Sequence, residues 1–408
     1  MQMDYTASTT AKYPDETNRQ EIARIAHSLI SMNEFRYTTS MRSNNIKYLP
    51  EIDHLRAYAA LLIIFYHGLH LFGWKFRFNT PFDFSEWPQK LNPIQAFLLE
   101  GHTAVAFFMV LSGFIFTLGC YRHKISYRGF IRNRFLRTYP LFLFMLILGL
   151  SVFPDHFNWT GLFKTIFFLG NYPGALSLGS FSAMFWAIAI EWQFYLLFPL
   201  LLWLLNRYGI PALLILISLM VLLRLGLLLQ GQDMQLFTYM TIWGRLDQFL
   251  IGMLAAVYYK TRFHPGRGWD WMMLASVVLL TASLTIYNHL GGWVSHGGWK
   301  FIWPTWEGLV WGLLIISYCS VARHTPVFLS RGLAAIGTIS YSLYLIHYLI
   351  INELITREWL LSISPAPMWN ALANTILIAL PLTLLVSAFT YRWIEKPFLS
   401  KRGKYRSN

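Results

Sequence analysis

Two basic side chains within one apolar stretch are the first candidates for chemistry. Arg56 and His67 lie eleven residues apart in EIDHLRAYAALLIIFYHGLHLFGW. Eleven residues are close to three helical turns, so both side chains share one face, about 16 Å apart along the axis. Histidine can act as a general base near neutral pH, whereas arginine stays charged and binds anions. The alternative for His67 is a histidine that is simply hydrogen-bonded to a neighbour.

Other ionisable residues also interrupt apolar segments, where their burial is costly and marks a site or an internal ion pair. Glu191 lies in FWAIAIEWQFYLLFPLL, and His347 lies in SYSLYLIHYLI. Glu191 must be protonated or meet an arginine or histidine from another helix. Arg245 and Asp247, two residues apart, are expected to neutralise each other. A metal site built from His67, His347 and Glu191 is disfavoured, because their spacing matches no ligand pattern.

The densest basic region is YRHKISYRGFIRNRFLRTYP, at residues 121–140. Arg134 and Arg137 are three residues apart at the start of an apolar helix, so they lie roughly on one side of it. Two guanidinium groups there suit phosphate oxygens, such as those of a CoA nucleotide. The chain offers no phosphate-binding glycine motif as an alternative.

The elements that position these residues are predicted to be membrane-spanning helices. Of the 408 residues, 55% are hydrophobic and 13% are charged, which is typical of a chain dissolved in lipid. We predict an all-α, polytopic membrane helix bundle with ten spans and a re-entrant or interfacial segment at 161–183. The predicted spans are 54–74, 96–119, 139–154, 184–205, 210–229, 240–259, 269–288, 304–322, 332–351 and 369–392.

The distribution of the 33 Lys and Arg residues predicts the orientation of these spans. The basic clusters fall in alternate loops, including 120–138, whereas 230–237 and 288–299 are poor in Lys and Arg. Both termini and the loop 120–138 are therefore predicted to be cytoplasmic. This distribution is a topology signal, and no nucleic-acid partner is expected. The expected parts are a cytoplasmic leader (1–50), a membrane domain (51–398) and a basic cytoplasmic tail (399–408).

Several sequence blocks in a fixed order resemble the membrane acyltransferases of the acyltransferase 3 family. The resemblance runs from about Asp53 to Phe398, and any one block alone is weak. The blocks are IDHLRAYAALLIIFYHG at 52–68, GHTAVAFFMVLSGFIFT at 101–117, FIRNRFLRTYP at 130–140, FWAIAIEWQFYLLFPLL at 185–201, RLDQFLIGML at 245–254, SYSLYLIH at 340–347 and YRWIEKPF at 391–398.

The resemblance implies O-acylation of cell-surface carbohydrates by acyl-CoA from the cytoplasm, most often acetyl-CoA. It implies that His67 is the catalytic histidine, that Arg56 is its essential partner and that Arg134 and Arg137 bind acyl-CoA. Glu191 is implied as a core residue of the site. Acyl-CoA is then a co-substrate, with no permanently bound cofactor. The implied partners are a carbohydrate or glycolipid acceptor, membrane lipid and polysaccharide-assembly proteins, and the implied location is the plasma (bacterial inner) membrane.

Three alternatives stay open at this point. His67 could act as a general base or carry the acyl group as a covalent acyl-histidine. A multi-span transporter or flippase of lipid-linked sugars would also have buried charges. A purely structural or sensory membrane protein would leave Arg56, His67 and Glu191 unexplained. The acceptor is equally open, from O-antigen, exopolysaccharide, nodulation-type oligosaccharide or peptidoglycan to a small glycoside.

Overall fold

The computed structural model describes Asn45, residues 48–84 and residues 86–407, and regular structure within them is almost entirely helical. Most of the predicted leader, residues 1–44, lies outside the described residues. The helices are α1 (Pro50–Phe78), α2 (Pro93–Leu99), α3 (Ala104–Cys120), α4 (Tyr127–Val152), α5 (Trp159–Ile166), α6 (Phe185–Tyr208), α7 (Ile210–Leu229), α8 (Met234–Met240), α9 (Ile242–Thr261), α10 (Arg267–His289), α11 (Trp303–Val321), α12 (Val327–Thr338), α13 (Ser340–Thr356), α14 (Pro367–Asn374), α15 (Leu380–Thr390) and α16 (Lys396–Leu399).

Two π-helical turns, Thr375–Ala379 and Tyr391–Glu395, join α14, α15 and α16 into one long helix. Within the described residues, eight helices are long and apolar enough to cross a membrane, or nine if the bent pair α12 and α13 forms one span. The predicted all-α, polytopic fold class is therefore confirmed. All ten predicted spans fall on helical segments, although 96–119 and 332–351 are each divided between two α-helices. The number of spans and the sides of the termini stay predictions.

The predicted span over 332–351 is not one continuous helix, because α12 and α13 meet there at a bend of 69°. The break follows Gly337, where α12 crosses α1 so closely that a Cβ atom would overlap the backbone carbonyl of Asp53. The chain turns at Ile339 before α13 begins. Because of this bend, α13 runs in a different direction from α12.

The prediction of a loop over 120–138 is wrong from Tyr127 onward, where α4 begins. Its cytoplasmic side stays a prediction. The Ser126 side chain caps this helix by accepting a hydrogen bond from the Gly129 backbone N–H at 3.2 Å. A short strand, β1 (Lys124–Ile125), precedes it and pairs with β2 (Arg406–Ser407) near the end of the chain. Most of the basic region is therefore helical.

The helices α3 and α9 cross with their backbones in direct contact. A Cβ atom at Gly113 would overlap the backbone carbonyl of Phe249, and one at Gly252 would overlap that of Val110. Glycine is required at both positions because only hydrogen fits in the crossing. This close crossing lies in the centre of the hydrophobic core.

The predicted pairing of Arg245 with Asp247 is wrong. Residues two apart on a helix point in different directions. Asp247 pairs instead with Arg224 of α7, with 2.7 Å between Oδ2 and Nη2, and both side chains are completely buried. Arg245 donates to the Tyr239 carbonyl at 2.7 Å. The charges on α9 therefore hold neighbouring segments together instead of neutralising each other.

Candidate active site

A cavity of about 120 Å³ lies among α1, α3, α4, α6 and α13. Its lining includes four of the five predicted site residues, namely Arg56, Arg134, Arg137 and Glu191. These residues come from three helices that are far apart in sequence. We call this space the inner cavity, because its arginines lie at the predicted cytoplasmic ends of their helices.

Arg134 has a guanidinium group that no acceptor among the described residues satisfies. Its Nε atom is buried without a hydrogen-bond partner, and the group makes no ion pair there. The guanidinium lies over the Phe116 ring, 4.7 Å from its centroid, and near the Phe130 and Tyr195 rings. Aromatic stacking orients the cation but leaves its N–H donors free. Arg134 is thus prepared to bind an anion in the inner cavity.

Arg137 has a different environment, because it forms an ion pair with Glu395. Its Nη1 atom lies 2.9 Å from Glu395 Oε2, and the glutamate side chain is completely buried. Glu395 also accepts a hydrogen bond from Ser342, and it belongs to the π-helical turn Tyr391–Glu395. Sequence reasoning missed this residue, although a carboxylate in the block YRWIEKPF was the available signal.

Arg56 and Glu191 complete the charged lining of the inner cavity. Arg56 pairs with Asp53, one turn earlier on α1, with 2.8 Å between Nη1 and Oδ1. Glu191 accepts a hydrogen bond from Ser112 at 3.1 Å, and no salt bridge to it is present among the described residues. Arg56 and Arg137 are thus each paired with a carboxylate, whereas Arg134 has no acidic partner among the described residues and its charge is available to a ligand.

His67 lies deeper in the bundle, outside the lining of the inner cavity. Its Nδ1 atom is 2.9 Å from Nε2 of His347 on α13, and the Tyr348 ring stands edge-on to it at 5.2 Å. Its neighbour Gly68 packs directly against Thr375 in the π-helical turn Thr375–Ala379. Glu191 does not join the two histidines, and no group of three metal-ligating side chains occurs in the described part of the chain.

A second and larger space, of about 750 Å³, lies at the other end of α13. We call it the outer cleft, because its walls belong to segments predicted to be external. Its lining includes much of 170–183, from the segment predicted to be re-entrant or interfacial, together with Trp186, Tyr348, Asn352 and Glu353. That segment is irregular apart from α5 and the turn Gly179–Phe181.

One ridge of α13 connects the two spaces. Ser340 and Tyr344 line the inner cavity, whereas Tyr348, Asn352 and Thr356 line the outer cleft. Residues spaced by four form one ridge on a helix, and four residues rise about 6 Å. The boundary between the inner cavity and the outer cleft thus falls within one turn of α13, where His347 contacts His67.

Comparison with known proteins adds an independent finding. A family model described as an acyltransferase domain matches residues 49–392. The chain is 26% identical over 403 residues to the O-acetyltransferase OatA of Staphylococcus aureus, which covers 88% of this chain and 58% of the relative. It is also 26% identical over 402 residues to the peptidoglycan O-acetyltransferase OatA of Listeria monocytogenes, covering 88% and 56%. The chain thus spans little more than half the length of these relatives. No solved structure matches it.

Proposed function

Because this chain belongs to the membrane acyltransferase family whose model it matches, we propose that it moves an acyl group from cytoplasmic acyl-CoA to a carbohydrate hydroxyl. The acyl group is proposed to be acetyl, as in the names of both relatives. The proposed location is the bacterial plasma membrane. The observation that carries the proposal is a histidine pair on the same turn of α13 at which the lining of an arginine-lined cavity ends, at Tyr344, and that of an open cleft begins, at Tyr348.

The inner cavity supports binding of the donor. A CoA nucleotide carries several phosphate oxygens, and guanidinium groups bind such oxygens with charge-assisted hydrogen bonds. Arg134 brings free donors and an unshared charge, and Arg137 and Arg56 line the same space. Phosphates held there would let the flexible pantetheine arm extend along α1, where Arg56 and His67 are about 16 Å apart.

The outer cleft supports binding of the acceptor. Its lining includes the aromatic rings of Tyr172, Trp186 and Tyr348, together with the Asn352 amide. None of these four side chains makes a hydrogen bond to another described residue. A sugar presents apolar C–H faces to aromatic rings and needs polar partners for its hydroxyls. We therefore propose a glycan acceptor, with peptidoglycan strands as the first to be tested.

In the proposed reaction, His67 takes the proton of the acceptor hydroxyl as that oxygen attacks the thioester carbonyl. The carbon–oxygen bond forms as the carbon–sulfur bond breaks, and the departing CoA thiolate receives the proton from His67. The acyl ester stays on the glycan and CoA leaves as a thiol. A covalent acyl-histidine remains the alternative route through the same residue.

The test uses full-length protein in proteoliposomes that enclose soluble peptidoglycan strands. Acetyl-CoA labelled in its acetyl group is added outside, and label on the enclosed glycan is measured after the vesicles are washed and opened. The wild type is expected to label the glycan, whereas His67→Ala should label it at a rate lower by at least about 10²-fold. Protein inserted in the opposite orientation contributes nothing, because it meets no donor.

CoA binding provides the control for folding in this experiment. His67→Ala should bind CoA as the wild type does, since Arg134 and Arg137 are unchanged. Labelling at the normal rate by His67→Ala would remove the central residue from the proposal. Movement of lipid-linked sugars without any acetyl-CoA, with no label on the glycan, would instead favour the transporter.

A further inference from the structure

The hydrogen bonds of the His67–His347 pair fix which ring nitrogens carry protons. His347 Nδ1 lies 2.9 Å from the backbone carbonyl oxygen of Leu343. A carbonyl oxygen can only accept, so this nitrogen carries the hydrogen and donates it. In a neutral imidazole the other nitrogen is then an acceptor. Nε2 of His347 must therefore accept a hydrogen bond from Nδ1–H of His67, 2.9 Å away.

Burial requires the His347 ring to be neutral. The side chain is completely buried, and no carboxylate among the described residues forms a hydrogen bond or salt bridge with either ring. An unpaired charge in such a place is strongly disfavoured. His67 is partly buried, and in its neutral form, which a base requires, the proton sits on Nδ1. The backbone carbonyl of Ile63, one turn earlier on α1, is a second acceptor for the hydrogen on Nδ1 of His67, as Leu343 is for His347. Nε2 of His67 then keeps its lone pair free.

We propose that His347 is a positioning residue that holds His67 in the one neutral tautomer able to act as a base through Nε2. The proposal rests on the proposed acyl transfer. When Nε2 of His67 takes the hydroxyl proton, the ring becomes an imidazolium, and its Nδ1–H donates more strongly to His347. His347 itself neither gains nor loses a proton, and it does not touch the substrates. Its role is that of a neutral acceptor in the place where many enzymes use a carboxylate.

Three substitutions at position 347 separate this role from simple packing. The carbonyl oxygen of His347→Gln can occupy the place of the imidazole Nε2 and accept from His67. The shorter amide of His347→Asn occupies the place of Nδ1, so it can reach Leu343 but not His67. His347→Leu fills similar space without any acceptor. Asparagine is thus the matched control for glutamine.

Glutamine is expected to keep kcat within about tenfold of the wild type, whereas asparagine and leucine should lower kcat by about 10²–10⁴-fold. The KM for acetyl-CoA should stay the same in all three variants, since His347 does not line the inner cavity. The assay is the labelling of enclosed peptidoglycan strands, in variants that elute as a single species in detergent.

A second readout needs no catalysis. In protein labelled with ¹⁵N-histidine, chemical shifts separate nitrogens that carry hydrogen from those that do not, and His67→Asn identifies the His67 signals. The wild type should show hydrogen on Nδ1 of His67 only. His347→Leu leaves the Ile63 carbonyl as the one acceptor for that hydrogen, so the share of the tautomer with hydrogen on Nε2 should increase. Equal activity of the glutamine and leucine variants, or a hydrogen on Nε2 of wild-type His67, would overturn the proposal. Failure of the acyl transfer itself would show as an inactive wild type with the expected ¹⁵N shifts.

Discussion

Replacement of Arg134 and Arg137 one at a time should have different consequences, although the two residues are neighbours on α4. Arg134 has free N–H donors and no acidic partner, so Arg134→Ala removes ligand contacts and the stacking on Phe116 but leaves no buried charge unpaired. A hydrogen bond to a charged group contributes about 1.5–3 kcal/mol. At 1.36 kcal/mol per factor of ten, the KM for acetyl-CoA should rise about 10- to 150-fold. The melting temperature should change little.

Arg137→Ala should instead destabilise the fold. It leaves the completely buried Glu395 without its cationic partner, and breaking a buried ion pair typically costs about 3–5 kcal/mol. That is a large part of the usual 5–15 kcal/mol stability of a protein. Removal of both charges in Arg137→Ala/Glu395→Gln should recover most of the loss, because glutamine can still accept from Ser342. Melting temperature in detergent measures both variants.

Arg132→Ala is the matched control for both substitutions. Arg132 lies on the same helix, but it is exposed and does not line the inner cavity. Its loss should change neither the KM nor the melting temperature. If Arg134→Ala keeps the wild-type KM and CoA affinity, then Arg134 does not bind acyl-CoA. If Arg137→Ala is as stable as Arg132→Ala, the ion pair with Glu395 does not stabilise the fold.

The remaining predictions concern packing, pH and topology. Gly113→Ala should destabilise the folded protein by about 1–3 kcal/mol, because the added methyl group forces α3 away from α9. Gly226→Ala is the control, since Gly226 has open space around it, and its melting temperature should equal that of the wild type. Burial lowers the pKa of Lys300 from 10.5 to about 8, so the folded state loses this proton at a lower pH than the unfolded state does. The free energy of unfolding should therefore increase between those pH values relative to that of Lys300→Met. Equal slopes of the unfolding free energy against pH in the two proteins would refute this. With the native cysteines replaced, Arg128→Cys and Gln232→Cys should react with impermeant reagents from opposite sides, and labelling of both from one side would refute the topology.

The helices and one face of the site could be predicted from local sequence. Hydrophobic length predicted where the long apolar helices lie, though not their number as spans, and helical spacing placed Arg134 and Arg137 beside one cavity. The start of α4 was missed because basic residues were taken for a loop, although Ser126 was an available capping signal.

The partners of buried charges could not be predicted in the same way. Glu395 is 258 residues from Arg137, and Asp247 is 23 residues from Arg224 on another helix. Sequence indicates that a charge inside an apolar helix needs compensation, but it does not say which helix supplies the partner. The bend before α13 has a similar origin, since it depends on how closely α12 crosses α1.

The ridge on α13 has a consequence for the energetics of crossing a bilayer. If the two substrates meet between Tyr344 and Tyr348, neither has to pass through the apolar layer. Only the small, neutral acyl group changes sides. The phosphates of the donor, whose passage through hydrocarbon would cost many kcal/mol, stay in contact with water. A relay of this kind needs no large rocking of one half of the bundle against the other. It also keeps the barrier to ions intact throughout turnover, because two tyrosine rings and the histidine pair remain between the two spaces.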